Sequence, residues 1–540
     1  GMSDEDLKDL MYFYDYIEVQ PATACTHLIG EDKKFHNIME YNGYVSRLVK
    51  TAKSMGKLVC ATGDVHNLRP EDLIYRKVIV HQKTNGKIHP LNREGLELPN
   101  MYFMTTEEML DAFAFLGDDL AKEIVVTNTN KVADMVEHLQ IIRDKLYTPV
   151  LENSAEVTKE MVYNKAHEIY GDPLPKNIEE RLEAELAGII GGGYDVIYLI
   201  AEKLVKKSNE DGYFVGSRGS VGSSLVATMM GITEVNGLPP HYVCPKCKKS
   251  YFENEAGESL ANLYPSGYDM PDRTCECGTK LKKEGQDMPF ATFLGFKAEK
   301  VPDIDLNFSG DNQADAHNHV KVLFGEDHAY RAGTISTVAE KTAFGYVKAY
   351  CEDKGIILNN TEIERISIGC TGVKRTTGQH PGGIIVIPQY MDVFDFTPYQ
   401  YPADEPDSTW YTTHFDFHAI HDNVLKLDIL GHDDPTMLRY LGDTTGIDIK
   451  EEIPFDDKNI ISLFTSPKAL KVSEEQILCK TGTLGIPEFG TNFAINMLLE
   501  IKPTHFADLV KIAGLSHGTN VWQGNVRDLI VNNVASFNEV

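Results

Sequence analysis

The chain has 540 residues, a net charge of −28 and 42% hydrophobic residues. This length predicts three or four domains, and the composition is typical of a folded protein rather than a disordered one. No apolar run approaches the ~20 residues of a membrane span and no secretion signal is recognisable, so a cytoplasmic protein without a membrane partner is expected. The net negative charge argues against non-specific binding of nucleic acid by the protein surface as a whole. A local basic groove that binds nucleic acid remains compatible with this charge.

The first part of the chain, residues 4–146, alternates short β-type runs with helical ones, which predicts an α/β domain. Strands are predicted at 57–62 and 77–81, helices at 106–116 and 118–128, and a linker at 147–154. Asp64 and His66 follow the first strand on one face, which is a common way to present metal ligands. The same pair is also compatible with a purely structural role.

A strongly amphipathic segment at 177–207 is interrupted by three glycines at 191–193, which predicts two helices. Residues 210–235 then predict a strand, a loop of glycines and serines, and a helix that begins near Ser220. The loop N–H groups, the helix N-terminus and Arg218 together would form an anion cradle for phosphates. No Gly-Lys-Ser/Thr sequence follows, so this is not a Walker A loop, and an ordinary tight turn is the alternative.

The segment from Val301 to Phe308 carries the most specific chemistry. On a strand, alternation separates a polar face from an apolar face, with Asp303, Asp305 and Asn307 on the first and Ile304, Leu306 and Phe308 on the second. Two carboxylates about 7 Å apart on one face suit a hard cation such as Mg²⁺. A solvated edge strand with two surface acids is the alternative.

A second strand, at 423–431, places Lys426 and Asp428 on the face opposite Leu425, Leu427 and Ile429. A strand this apolar is normally central in its sheet. Charged side chains on a central strand are costly to bury unless they are paired or bind a metal ion. If the two strands are neighbours, three carboxylates and one lysine meet. Three carboxylates that hold two Mg²⁺ ions are suited to in-line phosphoryl transfer.

Two cysteine pairs are separated by 27 residues of hydrophilic chain, namely Cys244 with Cys247 and Cys275 with Cys277. Four thiolates held in pairs predict one tetrahedral, structural Zn²⁺ site, with four unrelated thiols as the alternative. A further run could place His414, Asp416 and His418 on one strand face as a metal site. Ordinary packing around Phe415 and Phe417 is the competing interpretation of that run.

Four segments, in this order, resemble those of the PolC-type DNA polymerase III alpha subunits, the replicative polymerases of low-GC Gram-positive bacteria. They are Gly-Ser-Arg-Gly-Ser-Val-Gly-Ser-Ser at 216–224, Pro-Asp-Ile-Asp-Leu-Asn-Phe at 302–308, Thr-Gly-Gln-His-Pro-Gly-Gly at 377–383 and Lys-Leu-Asp-Ile-Leu-Gly-His-Asp-Asp-Pro at 426–435. The similarity covers essentially the whole chain, with Gly-Leu-Ser-His-Gly-Thr at 514–519 close to its end.

The resemblance implies a multidomain α/β and α+β fold. Residues 3–146 would be the C-terminal half of a PHP (polymerase and histidinol phosphatase) domain, and residues 150–333 and 373–450 the two parts of a nucleotidyltransferase-type palm. The zinc insert would span about 241–290, the thumb 334–372 and the start of the fingers 451–540.

The resemblance also implies template-directed transfer of nucleotides from dNTPs to a primer 3′-hydroxyl. Asp303, Asp305 and Asp428 would bind two Mg²⁺ ions, while Lys426 and the loop of Gly216, Ser217, Arg218, Gly219 and Ser220 would hold the triphosphate. Primer–template DNA is the expected partner, and a sliding clamp and other replisome subunits would bind through regions outside this chain.

Two departures from the family pattern stand out. The second cysteine pair is Cys-Glu-Cys where the family usually has Cys-x-x-Cys, which puts ligation by Cys275 in doubt, and Asp315 replaces an arginine of the relatives that would contact phosphate. Two alternatives to polymerase activity therefore remain. One is a folded but catalytically incompetent piece, and the other is a PHP-type metal-dependent phosphoesterase at Asp64 and His66.

Overall fold

The computed structural model describes residues 2–84, 86–93, 95–141, 144–297, 300–402, 405–518 and 520–539. The chain divides into two compact units. The first combines Gly1–Ile141 with Ile335–Gly378, and the second combines Ile142–Thr334 with Gln379–Val540.

The elements of the N-terminal segment alternate helices with short strands. They are α1 (Asp4–Phe13), β1 (Tyr16–Val19), α2 (Ile38–Ser54), β2 (Leu58–Ala61), α3 (Leu73–His81), β3 (Lys83–Thr84), β4 (Lys87–Ile88), α4 (Thr106–Ala112), α5 (Asp118–Lys122) and α6 (Asn128–Asp134). Strands β1 and β2 pair in parallel. The predictions of a strand at 57–62 and of helices from 106 and 118 are thus confirmed.

The predicted strand at 77–81 is wrong, because these residues form the end of α3. Val78 is fully buried and packs in one cluster with Val347 and Ile366, and Ile74, one helical turn earlier, packs against the same cluster. An apolar run this short has no period that separates strand from helix. The packing of one helical face against these distant residues decides it.

The middle of the chain carries a helical layer, a cysteine-containing insert and the first strands of a large sheet. Its elements are α7 (Ser154–Tyr170), α8 (Lys176–Gly191), α9 (Asp195–Glu210), β5 (Gly216–Arg218), α10 (Leu225–Met229), β6 (His241–Val243), β7 (Ser250–Tyr251), α11 (Leu260–Leu263), β8 (Lys282–Glu284), α12 (Ala291–Leu294), β9 (Asp305–Ser309), α13 (Gln313–Phe324) and β10 (Ala329–Thr337).

The last part completes the sheet and ends in helices. Its elements are α14 (Glu340–Lys354), α15 (Asn360–Cys370), β11 (Lys374–Val386), β12 (Tyr399–Gln400), β13 (Thr412–Asp416), α16 (Phe417–Ile420), β14 (Leu425–His432), α17 (Asp433–Thr445), α18 (Lys458–Ser462), α19 (Glu474–Ile477), α20 (Asn492–Ile501), α21 (Phe506–Leu515) and α22 (Arg527–Val531).

The second unit is built on a seven-stranded mixed sheet in the order β12-β13-β10-β11-β14-β9-β5. Strand β14 is interior, as its apolar sequence predicts, and it pairs in parallel with β9 and antiparallel with β11. Helices α7 to α10 and α13 bury their apolar faces against this sheet in one continuous core. The insert forms a separate three-stranded sheet in the order β7-β6-β8.

The predicted break at residues 191–193 is confirmed, since α8 ends at Gly191 and α9 begins at Asp195. Within the described residues, no single helix is long and apolar enough to cross a membrane. Helices α8 and α9 meet that test only when joined, and they are bent by 106° at the break. Much of α9 is buried in the core of the second unit.

Candidate active site

Three carboxylates converge where two neighbouring strands of the large sheet run side by side. Strands β9 and β14 are parallel, and their register pairs Asp305 directly with Asp428. Asp303 lies two residues before the paired Asp305. One carboxylate oxygen from each of the three residues lies within 4.8 Å of the corresponding oxygens of the other two. The structure therefore brings together the three acids that the sequence predicts to meet.

The alternation predicted for both strands explains how Asp305 and Asp428 meet. Asp303 was predicted on the same strand, but β9 begins only at Asp305, so Asp303 lies in the segment just before it. In β9 the side chains of Leu306 and Phe308 are buried, while Asp305 is only partly buried. In β14, Leu425, Leu427 and Ile429 are buried. Since side chains alternate along a strand, burial of the apolar set in the core turns the acidic set to the opposite face.

Repulsion and burial both act on these acids. Burial is the main cause that raises the pKa of Asp305 to about 6, and the charges of Asp303 and Asp428 raise it further. The pKa of Asp303 is also raised, mainly by burial and then by Asp428. Arg218 and Lys426 oppose the shift of Asp305 without cancelling it. A cluster of hard oxygen ligands with incompletely balanced negative charge fits the preference of Mg²⁺.

Lys426 supplies the positive charge nearest to this cluster. Its Nζ lies 2.8 Å from Oδ1 of Asp428, and both side chains are largely buried. The same ammonium group lies 4.2 Å from the ring centroid of Phe417. Lys426 therefore acts as an internal counter-ion for the carboxylates.

We expect Lys426→Met to lower the metal-free melting temperature by about 2–4 °C, because about 1 kcal/mol of charge compensation is lost. The rise in melting temperature on adding Mn²⁺ should be larger in this variant than in the unchanged chain, since the cation then relieves more repulsion. Differential scanning calorimetry with and without Mn²⁺ measures both effects. Lys348→Met, which removes an exposed lysine of α14, is the control. Equal Mn²⁺-dependent rises in the two variants would contradict the counter-ion role.

The glycine and serine segment begins on the edge strand beside the carboxylates. Strand β5 pairs antiparallel with β9, with Arg218 opposite Asp305 and Gly216 opposite Asn307. Directly opposed residues share a face of the sheet, so Arg218 lies on the carboxylate face. Gly219 has a φ of +73° and open space where a Cβ would stand.

Ser217 faces the other side of the sheet. Its N–H and Oγ donate to one carboxylate oxygen of Glu234 at 3.2 and 3.0 Å, and its Oγ lies 2.7 Å from Oγ1 of Thr233. Strand alternation separates its side chain from Arg218. The hydrogen-bond donors of Ser217 are thus taken by a protein carboxylate.

The helix predicted to start near Ser220 begins later, at Leu225, because Gly219–Ser223 forms a 3₁₀ turn. The N–H groups of Leu225 and Val226 both donate to the carboxylate of Glu185 at 3.0 Å. The expectation that this helix N-terminus helps to bind phosphate is therefore wrong, since a fully buried carboxylate already occupies it.

Sequence reasoning missed Glu185, although α8 contains a signal for it. Glu185 is an acid within the buried face that Ile178, Leu182, Leu186 and Ile189 form. Burial raises the pKa of Glu185, and the guanidinium of Arg181 opposes this shift. Arg181 also donates to the backbone oxygen of Ser223 at 2.7 Å. This buried pair therefore fixes the end of the 3₁₀ turn.

The four cysteines of the insert form the second cluster of metal-ligand type among the described residues, and their sulfur atoms lie within 4.8 Å of one another. Cys275, whose ligation the sequence left in doubt, lies 3.4 Å from Cys247, and Cys244 lies 3.6 Å from Cys277. The N–H of Cys247 donates to the sulfur of Cys244 at 3.4 Å. Hydrogen bonding with Thr279 lowers the pKa of Cys277 to about 6. Convergent thiols with a stabilised thiolate fit a tetrahedral Zn²⁺ site.

The remaining candidates have fewer ligands. Nε2 of His66 lies 3.4 Å from Oδ1 of Asp64, and both side chains are about half exposed. No third histidine, cysteine or carboxylate joins them in a cluster within the described part of the chain.

The alternative of a metal site on a common strand face of His414, Asp416 and His418 does not hold, because β13 ends at Asp416 and His418 lies in α16. Asp416 caps this helix by accepting from the N–H of His418 at 2.9 Å. Phe415 and Phe417 pack against a neighbouring core, in agreement with the competing interpretation. Asp315 is exposed on α13.

Comparison with known families and proteins identifies relatives for the whole chain. The family model described as bacterial DNA polymerase III alpha NTPase domain matches residues 156–353 and 345–431. The model described as bacterial DNA polymerase III alpha subunit finger domain matches residues 434–538.

Three similar proteins carry the name DNA polymerase III PolC-type. The one from Bacillus subtilis is 57% identical over 539 residues, which is 100% of this chain and 37% of the relative. The one from Bacillus cereus is 57% identical over 537 residues, covering 99% of this chain and 37% of the relative. The one from Staphylococcus haemolyticus is 56% identical over 536 residues, covering 99% and 36%. The chain thus spans little more than a third of the length of these curated relatives.

Proposed function

Because the chain belongs to the bacterial DNA polymerase III alpha subunit family of PolC type, we propose that it contains the metal-binding palm of a template-directed DNA polymerase. The observation that carries this proposal is the register of β9 and β14, which sets Asp428 beside Asp305. The proposed substrates are a primer–template duplex and dNTPs.

The proposed roles follow from the face that each side chain occupies. Asp303, Asp305 and Asp428 would hold two Mg²⁺ ions, which when bound activate the primer 3′-hydroxyl and neutralise the leaving pyrophosphate. Arg218 lies opposite Asp305, where it would pair with a phosphate of the incoming nucleotide. Lys426 would exchange its contact with Asp428 for a phosphate oxygen once cations balance the carboxylates.

The triphosphate loop is proposed to comprise Gly216 to Ser220, with unequal contributions. Gly219 has no neighbour where a side chain would stand, so a phosphate could approach its backbone closely. Ser217 would serve as an anchor, because its donors already bind Glu234. One Zn²⁺ ion is proposed at the four cysteines, with a structural role only.

The domain assignment implied by the resemblance remains our proposal. It gives a C-terminal PHP half at 3–146, a palm at 150–333 and 373–450, a thumb at 334–372 and the start of the fingers at 451–540. The match of the finger-domain model to residues 434–538 supports the last of these. Clamp and replisome partners are proposed to bind elsewhere in the longer relatives.

Primer extension tests the function. A chain extended to the length of the relatives should add nucleotides to a primer in the presence of Mg²⁺, whereas this chain should show very low or no extension. The 540-residue chain should also bind a primer–template only weakly, because few phosphate contacts are expected with a net charge of −28. This binding should be lost by roughly 200 mM salt. Titration of a labelled duplex at two salt concentrations measures the affinity.

A longer chain that incorporates no nucleotide would overturn the polymerase assignment. Tight duplex binding by this chain at high salt would instead show that its binding groove is already complete. Extension by the longer chain alone would support the second candidate for this 540-residue chain, a folded but catalytically incompetent part of the enzyme. That candidate is favoured by the 37% share of the relatives that the chain spans.

A further inference from the structure

A carboxylate from the cysteine-containing insert caps a helix of the finger-domain segment. Oδ1 and Oδ2 of Asp269 accept from the N–H groups of Phe506 and Ala507 at 2.8 and 3.0 Å. These are the first two residues of α21. The first N–H groups of a helix have no partner within it, and a negative charge there also complements the helix dipole. Asp269 thus satisfies two donors that lie 237 and 238 residues away in the chain.

An aromatic cluster reinforces this cap. The ring of Tyr268 stacks on Phe455 with centroids 4.5 Å apart and meets Phe506 edge-on at 5.1 Å. Phe455 and Phe506 are themselves 5.3 Å apart. Aromatic pairs in these stacked and edge-on geometries stabilise beyond the burial of their surface. The residue next to the capping acid therefore holds the same helix by a second kind of contact.

Charged contacts join the insert to the finger-domain segment at a third place. Nζ of Lys283 lies 2.6 Å from Asp456 and 2.9 Å from Asp272, and its side chain is only 13% exposed. Lys282 lies 2.6 Å from Glu451. Both lysines belong to β8.

The capping residues are tied closely to the cysteine cluster. Met270 packs in one buried cluster with Cys244 and Cys275. The N–H of Gly267 donates to the backbone oxygen of Gly285 at 2.7 Å, and a Cβ on Gly267 would lie 1.9 Å from the backbone oxygen of Glu284. The segment that carries Asp269 therefore packs against the end of β8 without space to shift.

We propose that Asp269 and Tyr268 are positioning residues that fix the start of α21 to the cysteine-containing insert. When a metal ion orders the insert, these contacts also stabilise the finger-domain residues around 506–515. The contacts of Asp269 and Tyr268 with α21 are separate from the carboxylate site. The proposal therefore does not depend on whether this chain polymerises DNA.

Hydrogen–deuterium exchange on the zinc-loaded chain tests this proposal. Asp269→Ala should speed exchange in the peptide covering 503–515 by about 10-fold, the factor expected for loss of a charged cap. Asp269→Asn keeps only one of the two acceptors and loses the negative charge, so exchange should lie between that of the unchanged chain and that of Asp269→Ala. Zinc content should be unaffected in both variants. Glu255→Ala, which removes an exposed acid of the same insert away from the four cysteines in sequence, is the control and should leave the peptide unchanged.

Removal of zinc by Cys247→Ser should speed exchange in the same peptide as well as in the insert. Exchange over 503–515 that stays unchanged in Asp269→Ala, or that stays unchanged when the insert has loosened in Cys247→Ser, would overturn the proposal. These readouts need no nucleotide incorporation, so their failure is distinct from failure of the polymerase assignment.

Discussion

Asp428→Asn is expected to abolish Mg²⁺-dependent nucleotide incorporation, by roughly three orders of magnitude or more, in a chain extended to the length of the relatives. Asp303→Asn should have the same effect. Both residues belong to the carboxylate cluster, in which one oxygen of each acid lies within 4.8 Å of those of the other two. An amide is neutral and a poorer ligand for a hard cation, so the remaining two acids cannot balance two divalent ions.

The fold should survive these substitutions, because the acids repel one another when no cation is bound. The melting temperature of this chain without metal should therefore stay within about 3 °C of its original value. Mn²⁺ binding followed by calorimetry should weaken in parallel with the loss of incorporation. Asp422→Asn is the matched control, since Asp422 lies shortly before β14 but its side chain is 84% exposed. An Asp428→Asn enzyme with undiminished incorporation would refute the metal-binding role.

Cys247→Ser should remove about one equivalent of zinc from the purified chain and loosen residues 241–290. A closed four-thiolate site contributes folding free energy directly, so the loss of one ligand should destabilise the whole insert. We expect the melting temperature of the transition that includes the insert to fall by about 5–10 °C. Elemental analysis and limited proteolysis measure the two effects.

Cys351→Ser is the control for this experiment, because Cys351 is a buried thiol in a different core, far from the four cysteines in sequence. It should keep the full zinc content. Freshly purified protein with no zinc, or a Cys247→Ser variant with zinc retained and the insert intact, would be inconsistent with a structural zinc site.

Local patterns in the sequence were sufficient to predict which side chains share a face. Alternation in β9 and β14 assigned Asp305, Lys426 and Asp428 to polar faces and their apolar neighbours to the core, as the structure has them. The glycine run that separates α8 from α9 was equally clear. These features are local because backbone geometry alone sets the two-residue and 3.6-residue periods.

The same local patterns failed where packing against distant residues decides the conformation. Residues 77–81 contain a short apolar run of the kind found in buried strands, yet they end α3 because Val78 packs in one cluster with Val347 and Ile366. The expected helix start near Ser220 failed for a similar reason, since Glu185 of α8 caps the later start at Leu225. No periodicity within a short segment carries information about such partners.

The sequence by itself therefore determined the chemistry of this protein: two acids and a lysine on strand faces, a third acid two residues before one of these strands, and four cysteines in two pairs. Only the tertiary structure decided that Asp305 stands directly beside Asp428, that Cys275 joins the other three thiols, and that Asp269 caps α21. Each of these depends on which elements become neighbours. That choice is made by the burial of whole apolar faces across large separations in the chain, which no local pattern encodes.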